Sequence, residues 1–263
     1  MLPSFSEDDI RKNYSKVGTN LIEQLYGDNF LSLSGVESSD AMIEATGIDE
    51  STRVLDVGCG VGGPSLHLAD RTGCHVTGID LMEWHAEEAA ARAAERGLSD
   101  QTTFQAGNAI DLPFDANTFD VVWSQDAWCH VPEKDKVVNE AARVVKPGGY
   151  VTFTDWVALD DMEPEYLAKV QAAIAAANYA RPEQYADWLE SAGCSVVEST
   201  DISDHFAKRY QTMMANLSEL EDTISEQFSP RVFSIMQDKN MSILHAFEEG
   251  KMGGWQFVAQ AAE

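Results

Sequence analysis

The stretch 54–69, VLDVGCGVGGPSLHLA, decides the fold of this chain. An apolar, strand-like run ends at Asp56 and Val57, four glycines follow within six residues, and apolar residues then recur at helical spacing. A glycine-rich turn between a strand and a helix lets a ligand approach the main chain closely, at the N-terminus of the helix. The stretch therefore predicts a strand, a tight turn and a helix with a small-molecule site at the turn.

Strand-like and helical segments alternate from Arg53 to Trp156. Alternation of this kind predicts an α/β fold with a doubly wound parallel sheet and right-handed crossovers. The strand-like segments are RVLDVG, HVTGID, TTFQAG, FDVVWSQ and YVTFTDW, and the helical segments are GGPSLHLADRTG, MEWHAEEAAARAAERG and EKDKVVNEAARVV.

The segments on either side of this alternation are mostly helical in pattern. Residues 1–50, which include SEDDIRKNYSKVGTNLIEQLYG, predict an N-terminal helical lid, and 51–160 form the ligand-binding core. Residues 161–250 predict a helical substrate cap with one core strand, CSVVESTDIS, and 251–263 contain the last strand, WQFVAQ. The helical excess before the last strand would cover the mouth of the sheet, where α/β proteins bind ligands.

Acidic residues dominate the charge of the chain. It has 263 residues, with 44 Asp and Glu against 18 Lys and Arg, and a net charge of −26. Such a surface repels itself in ordinary buffer, whereas about 1 M salt shortens the Debye length to roughly 3 Å. Two interpretations stay open: a protein adapted to a salty cytoplasm, and an ordinary acidic protein. Under either, binding of nucleic acid is not expected, because phosphates need a basic face.

Several other classes are not expected. The sequence has no run of about 18 apolar residues that would span a membrane, and MLPSFSEDDIRKNY lacks the pattern of a secretory signal. Cys59, Cys74, Cys129 and Cys194 are far apart, which favours free thiols in a reduced cytoplasm. No cluster of His, Cys and Asp has metal-ligand spacing, so no metal is expected.

Two acidic residues indicate which ligand the glycine turn binds. Asp56 lies just before the glycines, where a carboxylate would repel a pyrophosphate at the helix N-terminus and attract an amino group. Asp80 ends the second strand, in position to accept hydrogen bonds from the two hydroxyls of a ribose. An adenosine with a cationic tail fits both acids, and S-adenosylmethionine is such a molecule.

Four segments resemble, in order and spacing, the motifs of class I S-adenosylmethionine-dependent methyltransferases. They are VLDVGCGVGG, VTGIDL, AGNAIDLPFDANTFDVVWSQDAWCHV and ARVVKPGGYVTFTDW, and they cover about residues 50–156. The resemblance implies a Rossmann-like, seven-stranded, mostly parallel sheet with an antiparallel last strand, which suits WQFVAQ.

The resemblance also implies which residues contact the cofactor and, after transfer, S-adenosylhomocysteine. These are Asp56, Gly58 and Gly60 for the methionine end, Asp80 for the ribose, Leu81 and Met82 for the adenine faces, Asn108 and Ala109 for the adenine edge, and Gln125 for the methionine amine. Asn108 stands where the family more often carries an aspartate.

Other segments resemble methyltransferases that act on small amines. YGDNFLSLSGVESSDAMI is similar to the N-terminal segment of phosphoethanolamine N-methyltransferases. WSQDAWCHVPEKDKV and FSPRVFSIMQDKNMSILHAFEEGKMGGW are similar to sarcosine/dimethylglycine N-methyltransferases. The resemblance therefore implies methylation of small amines, sarcosine and dimethylglycine, to the osmolyte glycine betaine. From the composition we expect a cytoplasmic protein that binds neither nucleic acid nor membrane, and we expect a monomer or homodimer. Phosphoethanolamine methylation and S-methylation of a small thioether acid stay open, as do a non-catalytic cofactor-binding module and a lipid C-methyltransferase.

Seven residues are predicted for the acceptor side of the site. His130 matches a histidine of the amine-methylating relatives and is predicted to accept the proton that an aliphatic amine must lose, although a structural role is an alternative. The other histidines are expected to be structural. The full set is His130 and Tyr14 as catalytic residues, and Tyr26, Trp128, Trp156, Tyr179 and Arg181 as acceptor-binding residues, with the two tryptophans at the rim. The cation that would hold an acceptor carboxylate stays open among Arg181, Lys208, Arg209 and Lys251.

Overall fold

The computed structural model describes residues 7–26 and 30–263. Residues 1–6 and 27–29, which belong to the predicted lid, lie outside the described part. The strands are β1 Arg53–Val57, β2 His75–Asp80, β3 Thr102–Ala106, β4 Phe119–Gln125, β5 Val145–Ala158, β6 Cys194–Asp201 and β7 Met252–Ala261. The helices are α1 Glu7–Asn13, α2 Lys16–Tyr26, α3 Gly35–Thr46, α4 Gly63–Thr72, α5 Glu83–Glu95, α6 Lys134–Val144, α7 Pro164–Ile174, α8 Pro182–Ser191, α9 Ser203–Glu219, α10 Glu221–Gln227 and α11 Pro230–Glu248.

The seven strands form one sheet in the order β3-β2-β1-β4-β5-β7-β6. Strands β1 to β5 pair in parallel, whereas β7 runs antiparallel to both β5 and β6. The predicted fold, a mostly parallel Rossmann-like sheet with an antiparallel last strand, is confirmed. Because β1 lies between β2 and β4, where the chain reverses its direction across the sheet, the ends of these three strands border one crevice.

The central strands are apolar because both of their faces are covered. Leu55 and Val122 belong to the core on one face, together with residues of α6 and α8. Their neighbours Val54, Val121 and Trp123 belong to the core on the other face, together with residues of α3, α4 and α5. Successive side chains of a strand point to opposite faces, so a strand buried on both faces reads as a continuous apolar run.

The C-terminal helices form a third core. Helices α9, α10 and α11 pack with α2 and α7 around Trp156, Phe206, Tyr210, Leu217 and Phe247. Within the described ranges no helix is both long and apolar enough to cross a membrane. All four cysteines are buried and unpaired.

Two boundaries differ from those predicted. The N-terminal helical pattern is divided into α1 and α2 by a break at Tyr14 and Ser15. Strand β5 begins at Val145, five residues before the predicted YVTFTDW, because Val145 already pairs with Phe119 of β4. The KPGG segment, with a φ of 73° at Gly148, forms an irregularity between this pair and the next, Val121 with Tyr150.

Candidate active site

A cavity that opens to solvent lies at the carboxyl ends of β1, β2 and β4, with about 980 Å³ of space when its open mouth is included. Many of the predicted site residues line it, contributed by the N-terminal helices, the glycine turn and the loops after β2, β3 and β4. They are Tyr14, Gly58, Gly60, Asp80, Leu81, Met82, Asn108, Ala109, Gln125, Trp128 and His130.

The turn between β1 and α4 has a conformation that needs glycine. Gly58 and Gly60 have φ angles of 86° and 51°, in the left-handed region. A Cβ atom on Gly58 would lie 2.4 Å from the Cβ of Ala127, and one on Gly60 would lie 3.0 Å from Leu31 Cδ1. The main chain of this turn is therefore the wall of the cavity, with no side chain between it and a ligand.

Asp80 is held in one orientation at the end of β2. Its Oδ2 accepts a hydrogen bond from the Gly60 amide at 2.9 Å. Its Oδ1 accepts from the Met82 amide and from His85 Nδ1, both at 2.9 Å. A carboxylate has about four acceptor positions, so these bonds fix the group and leave capacity for a ligand hydroxyl.

Asp56 lies beneath the turn and does not line the cavity. It is 1% exposed, and its Oδ2 accepts a hydrogen bond from Ser65 Oγ at 2.6 Å. Its Oδ1 is buried and has no hydrogen-bond partner among the described residues, and burial raises the pKa of the carboxyl to about 7. The Ser32 hydroxyl, at the cavity wall, is also buried without a partner in the described part of the chain. The unpaired Ser32 hydroxyl is thus available to hydrogen-bond a polar group of a ligand in the cavity, whereas Asp56 does not reach the cavity, contrary to its predicted contact with the methionine end of the cofactor.

Tyr14 and His130 meet across the cavity. Tyr14 Oη lies 2.9 Å from His130 Nε2, and the ring centroids are 5.2 Å apart. His130 Nδ1 lies 3.1 Å from the Ala175 carbonyl, which can only accept, so Nδ1 carries the proton and Nε2 accepts from the Tyr14 hydroxyl. Burial lowers the pKa of His130 to about 4 and raises the pKa of Tyr14 well above its usual value. The imidazole is therefore neutral at pH 7, with its basic nitrogen directed at Tyr14.

Asp126 also lines the cavity, and the sequence reasoning missed it. Its φ is 55°, which places the carboxylate against the start of α3, where Oδ2 accepts from the Ser34 amide at 2.8 Å. Oδ1 accepts from Thr154 Oγ1 at 2.7 Å, and burial raises the pKa of the carboxyl. The neighbouring Gln125 side chain bonds Ser34, Ser39 and the Gly35 carbonyl. The signal in the sequence was an acid four residues before His130, in the loop after a buried strand.

His85 is a second residue that the sequence reasoning missed, because it was expected to be structural. It is 2% exposed, lines the cavity, and contacts Asp80 through Nδ1 and Thr19 of α2 through Nε2.

Four predicted acceptor residues do not line the cavity. Trp156 is 3% exposed and packs against Phe206, Tyr210 and Phe247 in the third core, so the prediction that it lies at the rim is wrong. Tyr26 and Tyr179 border the same core, and an acceptor-binding role for them stays a prediction.

Arg181 lies at the surface. Its guanidinium donates to the Leu159 carbonyl and forms an ion pair of 2.6 Å with Asp161. The structure therefore contradicts its predicted role as the cation that holds an acceptor. Of the described residues that line the cavity, none is a lysine or an arginine. The described part of the chain also has no group of three His, Cys, Asp or Glu side chains that could hold a metal ion.

The fold and the cavity define a class, and comparison with known proteins agrees with it. The model of a methyltransferase domain matches residues 55–153. Methyltransferase GfsG of Streptomyces halstedii is 30% identical over 75% of this chain and 72% of its own length. The chain belongs to the S-adenosylmethionine-dependent methyltransferases, and S-adenosylmethionine is its cofactor.

Other relatives differ in the acceptors that their names give. The glycine/sarcosine/dimethylglycine N-methyltransferase of Actinopolyspora halophila is 32% identical over 69% of this chain, which spans 33% of that protein. The phosphoethanolamine N-methyltransferase of Plasmodium falciparum is 26% identical over 86% of this chain and 84% of its own length. Sterol C-methyltransferases and tocopherol O-methyltransferases also match, and the chain spans 30 to 55% of their length.

Solved structures share the fold. A Haemonchus contortus phosphoethanolamine N-methyltransferase 2, in complex with phosphomonomethylethanolamine and S-adenosylhomocysteine, is 23% identical, with a TM-score of 0.87 over 100% of this chain and 61% of that one. The [4+2]-cyclase SpnF is 26% identical, with a TM-score of 0.74 over 86% of this chain and 81% of that one. The fold thus occurs in enzymes with different names and reactions, and the acceptor has to be argued from the site.

Proposed function

We propose that this methyltransferase acts on the nitrogen of a small amine, with sarcosine and dimethylglycine as acceptors and glycine betaine as the product. The observation that carries the proposal is the hydrogen bond between Tyr14 and the neutral His130 at the cavity. The name of the Actinopolyspora halophila relative and the net charge of −26 support the choice of acceptors.

An amine needs a base before it can accept a methyl group. An aliphatic ammonium has a pKa of about 10.4, so freeing its lone pair near neutral pH costs roughly 4 kcal/mol. His130 Nε2 is unprotonated and accepts a hydrogen bond from the Tyr14 hydroxyl, so the Tyr14 oxygen can accept a hydrogen bond from the amine. An imidazole with a pKa of about 4 would not hold the proton itself, but the burial that lowers the pKa of His130 also lowers the pKa of an ammonium in the same cavity, so the amine is bound in its neutral form. When bound, S-adenosylmethionine supplies an electrophilic methyl group on a cationic sulfur. The Asp126 carboxylate lies in the same cavity and would stabilise the positive charge that returns to the nitrogen.

A second candidate is O-methylation of a hydroxyl on an apolar acceptor. It is favoured by the absence of lysine and arginine among the described cavity residues, since a carboxylate acceptor calls for a cation. The same observation counts against phosphoethanolamine, whose phosphate needs more positive charge than a carboxylate.

The purified protein is incubated with labelled S-adenosylmethionine and with each of a panel of acceptors, at low salt and at about 2 M KCl. The panel is glycine, sarcosine, dimethylglycine, phosphoethanolamine, a methylthio hydroxy acid and a tocopherol-like phenol. We expect label in betaine, with more turnover at high salt. Label only in the phenol would establish the second candidate, and label in no acceptor would remove every acceptor assignment.

Tyr14→Phe is the matched variant for the proton path, because it removes only the hydroxyl. We expect its kcat at pH 7 to fall by about 100-fold, the lower end of the range of general acid–base effects. The deficit should shrink toward pH 10, where the free amine forms without help. A deficit that is the same at every pH would mean that Tyr14 only shapes the cavity.

The osmolyte role, a salty host and a cytoplasmic location belong to the same proposal. They are supported by the net charge and by the four unpaired cysteines. The division into a lid of residues 1–50, a core of 51–160 with the last strand at 251–263, and a substrate cap of 161–250 is likewise proposed.

A further inference from the structure

Helix α2 is joined to α5 by three polar contacts, each about one helical turn from the next. The contacts are the Lys16 ammonium 5.9 Å from the Trp84 ring centroid, Thr19 Oγ1 3.2 Å from His85 Nε2, and the Glu23 carboxylate 2.5 and 3.1 Å from the two Arg92 Nη atoms. We call these three contacts the α2–α5 seam. Of the six residues, only His85 lines the cavity.

His85 connects the seam to the cofactor cavity. Its Nδ1 lies 2.9 Å from Asp80 Oδ1, and the side chain is 3% exposed. Because a carboxylate only accepts, Nδ1 carries the proton, and in the neutral ring Nε2 accepts from the Thr19 hydroxyl. One buried imidazole thus joins the carboxylate at the end of β2 to a residue in the N-terminal helices.

The seam also bears on the position of Tyr14. Tyr14 lies between α1 and α2, two residues before α2 begins, and its ring centroid is 6.1 Å from that of His85 in an edge-on arrangement. The α2–α5 seam is therefore one of the contacts that position the Tyr14 hydroxyl at His130, together with the packing of α2 on α9, where Asn216 Nδ2 donates to the Leu25 carbonyl at 2.8 Å. Loss of the seam would loosen α2 on the side that faces the cofactor cavity.

We propose that His85 is a positioning residue that couples occupancy of the ribose site at Asp80 to docking of the N-terminal helices. The inference rests on the proposed role of Asp80 in binding the ribose. A ribose hydroxyl would take the remaining acceptor position of a carboxylate that Gly60, Met82 and His85 already hold, and so would stabilise the arrangement in which the imidazole ring reaches Thr19. Coupling between two sites is reciprocal, so docking of α2 raises cofactor affinity by the factor by which cofactor raises docking. The cofactor would then bind first and complete the acceptor site.

The experiment uses Thr19→Val, which removes the hydroxyl at nearly constant volume and touches neither Asp80 nor the glycine turn. The rate of limited proteolysis within residues 7–26 is measured with and without saturating S-adenosylhomocysteine, and its Kd is measured by calorimetry. We expect the protection by S-adenosylhomocysteine to fall by about three- to tenfold and the Kd to rise by a similar factor, as loss of one buried hydrogen bond allows.

Glu23→Gln is the matched control, since Glu23 lies on the same helix and seam but does not reach Asp80. It should speed proteolysis equally with and without S-adenosylhomocysteine, so the protection ratio stays within twofold of wild type. Thr19→Ser, which keeps the hydroxyl, should restore the ratio. If Thr19→Val keeps the wild-type ratio, the Thr19–His85 contact is only structural and the proposal is overturned.

Asp80→Asn separates this inference from the site assignment beneath it. Wild-type affinity of Asp80→Asn for S-adenosylhomocysteine would remove the ribose role of Asp80, and the coupling with it. Loss of affinity in Asp80→Asn together with an unchanged ratio in Thr19→Val would remove the coupling alone. No acceptor is present in these measurements, so they do not depend on which amine is methylated.

Discussion

Among the described residues, the buried carboxyl of Asp56 has a hydrogen-bond partner on only one of its two oxygens. Burial raises its pKa to about 7, whereas the carboxyl of an unfolded chain has a pKa of about 3.9. A group with a raised folded pKa stabilises the fold most below its unfolded pKa, and this contribution is lost as pH rises through the folded value. The free energy of unfolding of the ligand-free protein therefore falls as pH rises from about 4 to 7, and the loss persists at higher pH.

Asp56→Asn should reverse this effect. A pKa difference of one between the folded and unfolded states corresponds to about 1.4 kcal/mol, so the variant should gain on the order of a few kcal/mol at pH 8 and clearly less at pH 5. Thermal unfolding at both pH values measures the gain, and because Asp56 does not line the cavity the gain should be the same with and without S-adenosylhomocysteine. A variant that is less stable than wild type at pH 8 would contradict this account of the orphan oxygen.

Replacement of Arg181 should have almost no effect on stability or on acceptor binding. Its ion pair with Asp161 is solvent-exposed, at 41% and 97% for the two side chains, and such pairs contribute about 0–1 kcal/mol. We expect Arg181→Ala to change neither the melting temperature by more than a few degrees nor the KM of the acceptor by more than twofold. A tenfold rise in the KM of sarcosine would return Arg181 to the site.

Single residues show where sequence reasoning succeeds and where it stops. The position of Asp80 at the cavity could be predicted, because a residue at the carboxyl end of a parallel strand borders the crevice independently of the packing in other parts of the molecule. The sequence did not reveal the proposed positioning role of His85, because that role depends on contact with Thr19, which lies 66 residues away in the chain. Trp156 was misplaced because an aromatic residue near the end of β5 can face the cavity or the C-terminal helices, and only packing against Phe206 and Phe247 decides.

The β1–α4 turn is the element on which we expect cofactor binding to depend most. Gly58 is needed for two reasons: its φ is 86°, and a Cβ atom at this position would clash with Ala127. At Gly97, after α5, the φ is 72° and no atom of the described residues lies within 4 Å of a Cβ position. The pair therefore separates backbone strain from steric contact.

Gly58→Ala and Gly97→Ala should share the strain of a left-handed alanine, about 1 kcal/mol. Only Gly58→Ala should displace the loop after β4, so we expect a larger loss of stability and at least tenfold weaker binding of S-adenosylhomocysteine. Calorimetry and thermal unfolding of both variants check this. Equal losses in the two variants would mean that the turn yields easily to a methyl group.

At the scale of elements, the strands and helices of the core could be predicted because each satisfies its local pattern. The break between α1 and α2 was missed because the helical spacing continues through it, although a local signal exists: Ser15 precedes α2, and its Oγ accepts a hydrogen bond from the Gly18 amide at 3.3 Å, as an N-cap residue does. The early start of β5, in contrast, depends on pairing with β4, as at Phe119 and Val145.

The whole molecule brings three layers to one cavity. The sheet supplies the glycine turn and Asp80, the N-terminal helices supply Tyr14, and α9 holds the segment between them. His205 and Arg209 of α9 contact the Ser34 and Leu33 carbonyls, at 2.8 and 3.2 Å. The C-terminal helices therefore bear on the site through the N-terminal segment, at a distance from the cofactor.

The net charge of −26 acts on the molecule as a whole. Salt has two opposing effects here, because it screens the repulsion among acids and also weakens exposed ion pairs such as Arg96 with Asp70. The repulsion should dominate, since exposed pairs contribute little and the acids outnumber the bases by 44 to 18. We expect the melting temperature to rise by several degrees between 0.1 and 2 M KCl. An equal osmolality of sorbitol is the control, since it is excluded from the protein surface without screening charge. If sorbitol stabilises the protein as much as KCl does, charge repulsion is not what the salt relieves, and the chain is an ordinary acidic protein.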